Sequence, residues 1–291
     1  MSTIHRVLFP VDFSLGCQAL VPTVRRMIEC WHAEVTLLHV IEERQWLGRK
    51  HELERLMFQM RAIAGEGLRA RGVTCRVERG DPGERILEYV RGKGVELVAL
   101  SAGGSSSLYG HPIGSVADQV LAEAPCPVWL DWGSARSRST AGMYARQVAC
   151  ALALNESDEH VLRQATEISG ELEAELTVIH AVSPSPGKPV LLWDQRVRDG
   201  VLETAKRRIE GLLRRFHPAA DVAVEVGSSH TVVSRVIQDQ EMGLLVTGNV
   251  REAILAAECE CPVLRLAIPA ASAVAATEPE PRYAIAARRS A

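Results

Sequence analysis

The sequence predicts an α/β protein made of two doubly wound domains in tandem, each with a five-stranded parallel sheet. Three observations carry this. Short apolar runs of strand length alternate with stretches whose apolar residues recur at helical spacing. The alternation occurs twice, since Ala33-Glu34-Val35-Thr36-Leu37-Leu38-His39 returns as Ala174-Glu175-Leu176-Thr177-Val178-Ile179-His180, an offset of 141. The length of 291 residues suits about two domains.

The first strand is the apolar run Val7-Leu8-Phe9-Pro10-Val11, which ends near a proline. Ser14 is a candidate N-cap for the next helix, whose apolar face is Leu20, Val24, Met27 and Ile28. Val35 to Ile41 is apolar almost throughout, as a strand covered on both faces should be. Leu53, Leu56, Met57, Met60, Ala64 and Leu68 mark a second helix, which Gly72 should end. Val73 to Arg79 alternates like an edge strand. Asp81-Pro82-Gly83-Glu84 then starts a third helix bearing Ile86, Leu87 and Val90. Val95 to Leu100 is the fourth strand, and Cys126-Pro127-Val128-Trp129-Leu130 contains the fifth.

The domain limits follow. Residues 1–132 form the first domain and 133–145, rich in Ser, Arg, Gly and Ala, a linker. Residues 146–268 form the second domain, where Gly80 matches Gly227 and Cys126-Pro127-Val128 matches Cys261-Pro262-Val263. Residues 269–291, rich in alanine and broken by Pro279 and Pro281, read as a disordered tail. Seven scattered cysteines indicate free thiols and a cytoplasmic protein. A net charge of −3 gives no general affinity for nucleic acid, and no apolar run is long enough to span a membrane. The first residues lead straight into a strand, so no signal peptide is expected.

In a flavodoxin-like or Rossmann-like sheet, ligands sit outside the strand carboxyl ends where the order reverses. With the order 3-2-1-4-5, that point lies between strands one and four and brings Asp12 and Ser101 together. Asp12 can accept from an adenine amino group or a ribose hydroxyl, and Val40 supplies an apolar wall. Gly104, Gly114 and Ser115 supply backbone N–H groups and a hydroxyl for phosphates at a helix N-terminus.

Pro10-Val11-Asp12-Phe13-Ser14, Leu37-Leu38-His39-Val40, Gly80-Asp81-Pro82 and Gly114-Ser115-Val116 followed by Ala124-Pro125-Cys126-Pro127-Val128 resemble the universal stress protein family. The resemblance covers nearly all of 1–131 and continues, weakened, over 147–268, which implies a tandem universal stress protein. In the ATP-binding branch the loop reads Gly-x2-Gly-x9-Gly-(Ser/Thr). Its positions fall here on Ser101, Gly104, Gly114 and Ser115, with the first departing. The resemblance implies adenine and ribose contacts at Pro10, Val11, Asp12 and Val40, and phosphate contacts at Gly104, Gly114, Ser115 and Val116. It also implies a bound adenine nucleotide, ATP or a similar one with Mg2+ held through its phosphates, and a role in stress response through protein partners. Edge-to-edge pairing of the fifth strands, Val128-Trp129-Leu130 and Val263-Leu264-Arg265-Leu266, implies an intramolecular pseudo-dimer, with homodimerisation as a further step.

Competing readings stand beside these. Ser115 and Asp118 fit a capping box that needs no ligand. Asp12 fits a cap for the first helix. His39 and His180 occur in both halves, which favours packing. Cys259-Glu260-Cys261 lacks a second pair for a metal. Lys206-Arg207-Arg208 and Arg214-Arg215 read as a solvated helix face. A ligand-free tandem scaffold is the alternative function. A slow nucleotide hydrolase is a third, with His111 as the loop's one candidate base, although the expected protein is not an enzyme. In the second half Asp12 becomes Ala153, Ser14 becomes Asn155 and twelve residues of the loop are missing, so that domain is expected to keep the fold and lose both phosphate loop and pocket.

Overall fold

Ser14 sets the first turn of the chain, because its hydroxyl accepts from the Cys17 N–H at 3.1 Å and so caps the helix that follows. The structure is a computed structural model and describes residues 4–43, 50–68, 73–102, 113–131, 145–183, 194–216 and 219–268. The expected helix stop at Gly72, most of the linker and the tail lie outside these residues.

The first half runs β1 (Arg6–Pro10), α1 (Leu15–Trp31), β2 (Glu34–Ile41), α2 (Lys50–Ala62), β3 (Thr74–Arg79), α3 (Pro82–Lys93), β4 (Leu97–Ser101), α4 (Ser115–Glu123) and β5 (Val128–Asp131). The second half repeats this as β6 (Gln147–Ala151), α5 (Asp158–Glu171), β7 (Glu175–Val182), α6 (Gln195–Phe216), β8 (Asp221–Val226), α7 (Ser229–Asp239), β9 (Leu244–Thr247), α8 (Val250–Glu258) and β10 (Val263–Arg265). Asp81 caps α3 by accepting from the Glu84 N–H at 3.0 Å, with Pro82 opening the helix. Gly80, at φ 134°, makes the turn before it.

The strand order is β3-β2-β1-β4-β5-β10-β9-β6-β7-β8, so each half has the predicted order 3-2-1-4-5 with parallel neighbours. The difference from two separate five-stranded sheets lies at the centre. There β5 and β10 pair antiparallel, with Val263 opposite Leu130, Leu264 opposite Trp129 and Arg265 opposite Val128, which makes one ten-stranded sheet.

Both faces are covered. One core layer holds Leu20, Val24, Met27 and Met60 with Val161, Leu162, Ile209 and Leu213. The other holds Ile86, Leu87, Val120 and Leu121 with Val232, Val236 and Ala253. Each layer therefore draws on both halves, and Trp31 adds a hydrogen bond between them by donating to Glu171 Oε2 at 2.8 Å. Leu53, placed by its spacing on the apolar face of α2, is 40% exposed, while Leu56, Met60 and Leu68 fill the core. No helix among the described residues is long and apolar enough to cross a membrane.

Candidate functional site

The parallel contact of β1 with β4 places two chain crossings side by side: Val7 faces Leu97 and Leu8 faces Val98. Helix α1 leaves β1 for one core layer and α4 follows β4 into the other. The gap between them opens as a cavity of about 280 Å³. Pro10, Val11, Asp12, Val40, Ser101, Gly114, Ser115 and Val116 all line it. Gly104, the ninth residue chosen from sequence, lies outside the described residues, as does His111.

Phe13 sets the chain's course just after the lining residue Asp12. Its φ of 60° turns the chain sharply after Asp12, and Leu154 repeats the conformation at φ 57° in the second half. The turn lets Asp12 Oδ1 accept from the Ser14 N–H at 3.0 Å. The capping reading of Asp12 is thus correct in part, since the carboxylate braces the start of α1 while lining the cavity. His39 Nδ1 lies 2.6 Å from the Val11 carbonyl oxygen, and His180 Nδ1 stands 2.8 Å from that of Leu152. Both histidines tie the end of one strand to the next, as their recurrence suggested. His39 also lines the cavity and stacks, tilted by 45°, on Phe13 at 4.8 Å.

Helix α4 supplies the opposite wall. Its N-cap is Gly114, with no side-chain cap, and the Asp118 N–H bonds the Gly114 carbonyl at 2.9 Å. Ser115 is therefore the first helical residue, and the Ser115–Asp118 capping box does not form. A glycine without side-chain oxygen holds the cap position, so among the described residues no side chain caps the first N–H groups of α4. Ser115 is exposed.

Sequence reasoning missed the wall formed by Leu38, Glu42, Pro82 and Ile86. Alternation along β2 could have flagged Leu38. Pro82 and Ile86 become neighbours of Asp12 only through the strand order. Cys17, also in the lining, is pushed up to about 12 by burial and by the nearby Asp12 charge, so it remains a thiol.

The second half departs from expectation, since it does hold a cavity, of about 590 Å³. Ala153, Asn155, Asp158 and Val161 line one side, Thr247 to Glu252 another, and Arg265, Leu266 and Ile268 a third. The first cavity extends toward β2 and α3, whereas this one lies against α5 and β10. Helix α8 begins at Val250, directly after Gly248-Asn249, so the phosphate loop is absent as read. Lys206, Arg207, Arg208, Arg214 and Arg215 lie on the solvent face of α6.

Residues 3–130 match the model of the universal stress protein family. The first half of the chain is a universal stress protein domain. The same strand order in the second half makes the chain a tandem of that fold. A universal stress protein from Archaeoglobus fulgidus DSM 4304 superposes with a TM-score of 0.69 at 16% identity, covering 91% of this chain and 99% of that one. A functionally unknown protein from Pseudomonas aeruginosa PAO1 superposes at 0.64 and 16%, covering 90% and 92%. Both likenesses span the two halves and concern the fold alone. A comparison with curated proteins finds no match.

Proposed function

We propose that this tandem universal stress protein binds one adenine nucleotide, ATP or a close relative, in the cavity between β1 and α4, and acts in stress response through protein partners rather than by catalysis. One observation carries the reading: eight residues chosen from sequence converge on a single cavity whose far wall is a helix start with a glycine N-cap. Asp12 and the Val11–Val40 wall take base and ribose. Gly114, Ser115 and Val116 take the phosphates with Ser101, Gly104 joins them by the loop's sequence motif, and Mg2+ would be held through the phosphates. A cavity of about 280 Å³ fits the nucleoside part, with phosphates leaving along the start of α4.

In this reading residues 1–132 bind, 133–145 link, 146–268 form the permanent partner of a pseudo-dimer and 269–291 are a tail. The shared core layers and the β5–β10 pair support the pseudo-dimer. Seven free cysteines support a cytoplasmic setting. The test is calorimetric titration of the full chain with ATP, ADP and AMP, alongside a phosphate-release time course with His111→Ala as control. Saturable binding without turnover is expected. No binding of any of the three would leave the ligand-free scaffold as the better reading.

A further inference from the structure

Helix α4 is fastened at its two ends by different halves of the chain. Its nine residues form a rod about 13 Å long. At the start, Gly114, Ser115, Val116 and Ala117 line the first cavity, and the Gly114 N–H donates to the Ala102 carbonyl at 3.2 Å. Along the rod, Ala117, Val120 and Leu121 are buried in the core layer. At the far end the fastening comes from β10. Arg265 donates to the Ala124 carbonyl at 3.0 Å and reaches those of Ala122 and Cys126 at 3.4 and 3.5 Å. Arg265 is buried, and its contacts to Ala124 and Cys126 are buried with it.

The last carbonyls of a helix find their partners outside it. A planar fork that meets three of them fixes both the height and the tilt of the helix end. Without the fork, buried acceptors recover partners only if that end shifts, since such groups rarely stay unpaired. A short rod passes the shift to its N-cap, Gly114. The opposite wall is fixed separately: Val11 and Asp12 follow β1, Val40 lies on β2, and the Val11 N–H holds the two strands together by donating to the Leu38 carbonyl at 2.8 Å. The contact of Trp31 with Glu171 also joins the halves, but at the last residues of α1 and α5, away from α4.

We propose that Arg265 is a positioning residue of the first cavity: a cation supplied by the second half sets where the start of α4 stands, and so how well the cavity holds phosphate. This rests on the nucleotide reading of that cavity. Arg265 is not in the cavity's lining and acts through α4, whose first N–H groups serve a phosphate only from the right place. Base and ribose, held on the β1–β2 side, do not depend on it. The second half is then part of the site's construction and not only a cover for the edge of β5.

The experiment is calorimetric titration of the full chain with ATP and with adenosine, on the parent, Arg265→Gln, Arg265→Lys and Glu171→Ala, with folding checked by circular dichroism. Arg265→Gln is expected to weaken ATP binding about fivefold or more, the usual scale of coupling between sites, and adenosine binding less than about twofold. Arg265→Lys, with the charge and without the fork, should fall between. Glu171→Ala, at an exposed position, removes another contact between the halves and should leave ATP affinity within about twofold. Amide hydrogen exchange on the unmodified chain needs no variant: ATP should slow exchange through α4 to its C-cap and in β10, and adenosine should not, because coupling is reciprocal. Unchanged ATP affinity in a folded Arg265→Gln overturns the proposal. So does an equal loss of ATP and adenosine, or an equal loss in Glu171→Ala. If neither Arg265 variant folds, exchange at the end of α4 and in β10 that ATP leaves unchanged overturns it. A parent chain that binds neither ATP nor adenosine defeats the nucleotide reading itself, and this proposal with it.

Discussion

Arg265 reaches across the antiparallel junction of β5 and β10 and donates to the carbonyl oxygen of Ala124 at 3.0 Å, just past the last turn of α4. A guanidinium on buried helix-end carbonyls offsets the negative end of the helix and satisfies acceptors that the helix leaves open. Arg265→Ala is expected to cost about 2–4 kcal/mol, from lost charged hydrogen bonds and stranded buried carbonyls. Arg265→Lys should recover only part of this, because it keeps the charge and loses the fork. Urea denaturation measures both. A cost under about 0.5 kcal/mol, the range of surface substitutions, would show that the contact contributes little.

The two shared core layers bear on cooperativity. Neither half closes its apolar layers without the other, so the full chain should unfold in a single transition. Val128→Lys with Leu264→Lys puts charges on two strands that are now fully buried and should split or abolish that transition. Coincidence of circular dichroism and tryptophan fluorescence curves is the check, and two transitions in the unmodified chain would contradict it.

In the first cavity, Asp12→Ala removes the carboxylate that the proposed nucleotide reading sets against the nucleoside. It should weaken adenine-nucleotide binding by about tenfold to a hundredfold, the equivalent of 1.5–3 kcal/mol. Gly114→Val places a branched side chain at the start of α4 and should abolish binding. Because Asp12 also braces Ser14, the Ala variant needs a parallel stability measurement. Unchanged affinity in both folded variants would remove the nucleotide from this cavity.

Stoichiometry follows from comparing the two ends of the sheet. The second half has Ala153 where the first has Asp12, and α8 begins without an intervening loop. Titration of the full chain should give one nucleotide per chain. Two equivalent sites would contradict the assignment.

Asp158 makes stability depend on pH. Burial raises its pKa from 3.8 to about 6, against the lowering effect of backbone hydrogen bonds at Ala153 and Asn155 and the nearby charge of Arg208. The folded chain then holds this proton to higher pH than the unfolded chain does. Stability from this group is full below about pH 4, declines as pH rises to about 6 and is flat beyond. Glu252, also raised by burial and by the Asp158 charge, acts in the same direction. Asp158→Asn cannot ionise. It should be more stable than the parent at pH 7.5, by up to about 2 kcal/mol, and equal to it near pH 4. Denaturation at the two pH values tests this, and a variant less stable at pH 7.5 would refute it.

The parallel sheet was legible because its strands are apolar runs with few charges, and because the repeat of residues 33–39 at 174–180 states the fold twice. The first cavity was legible because strand order alone brings Asp12 to Ser101, so motif spacing and topology agree. The capping box offered as the alternative at Ser115 does not form, although Ser-x-x-Asp has that form wherever it occurs. Only backbone geometry shows that Gly114 comes first. The second cavity was invisible for a different reason. Asp158 reads as an ordinary acid in a helix's first turn, and Arg265 as a polar residue in a short strand. Arg265 is buried against carbonyls of the first half, more than a hundred residues away, and Asp158 beside Glu252 on a helix more than ninety residues further along the chain.

The junction also breaks a symmetry that a pair of identical subunits must keep. Where two copies of one chain meet about a two-fold axis, every substitution appears on both sides of it. By the match of Cys261-Pro262-Val263 to Cys126-Pro127-Val128, Arg265 occupies in the second half the place that Leu130 holds in the first. In a dimer of identical chains an arginine there would be buried twice, with two charges to compensate. Joined in one polypeptide, the two sides vary independently. One keeps a leucine in the core, while the other carries a cation that caps its neighbour's helix and faces a cavity of its own.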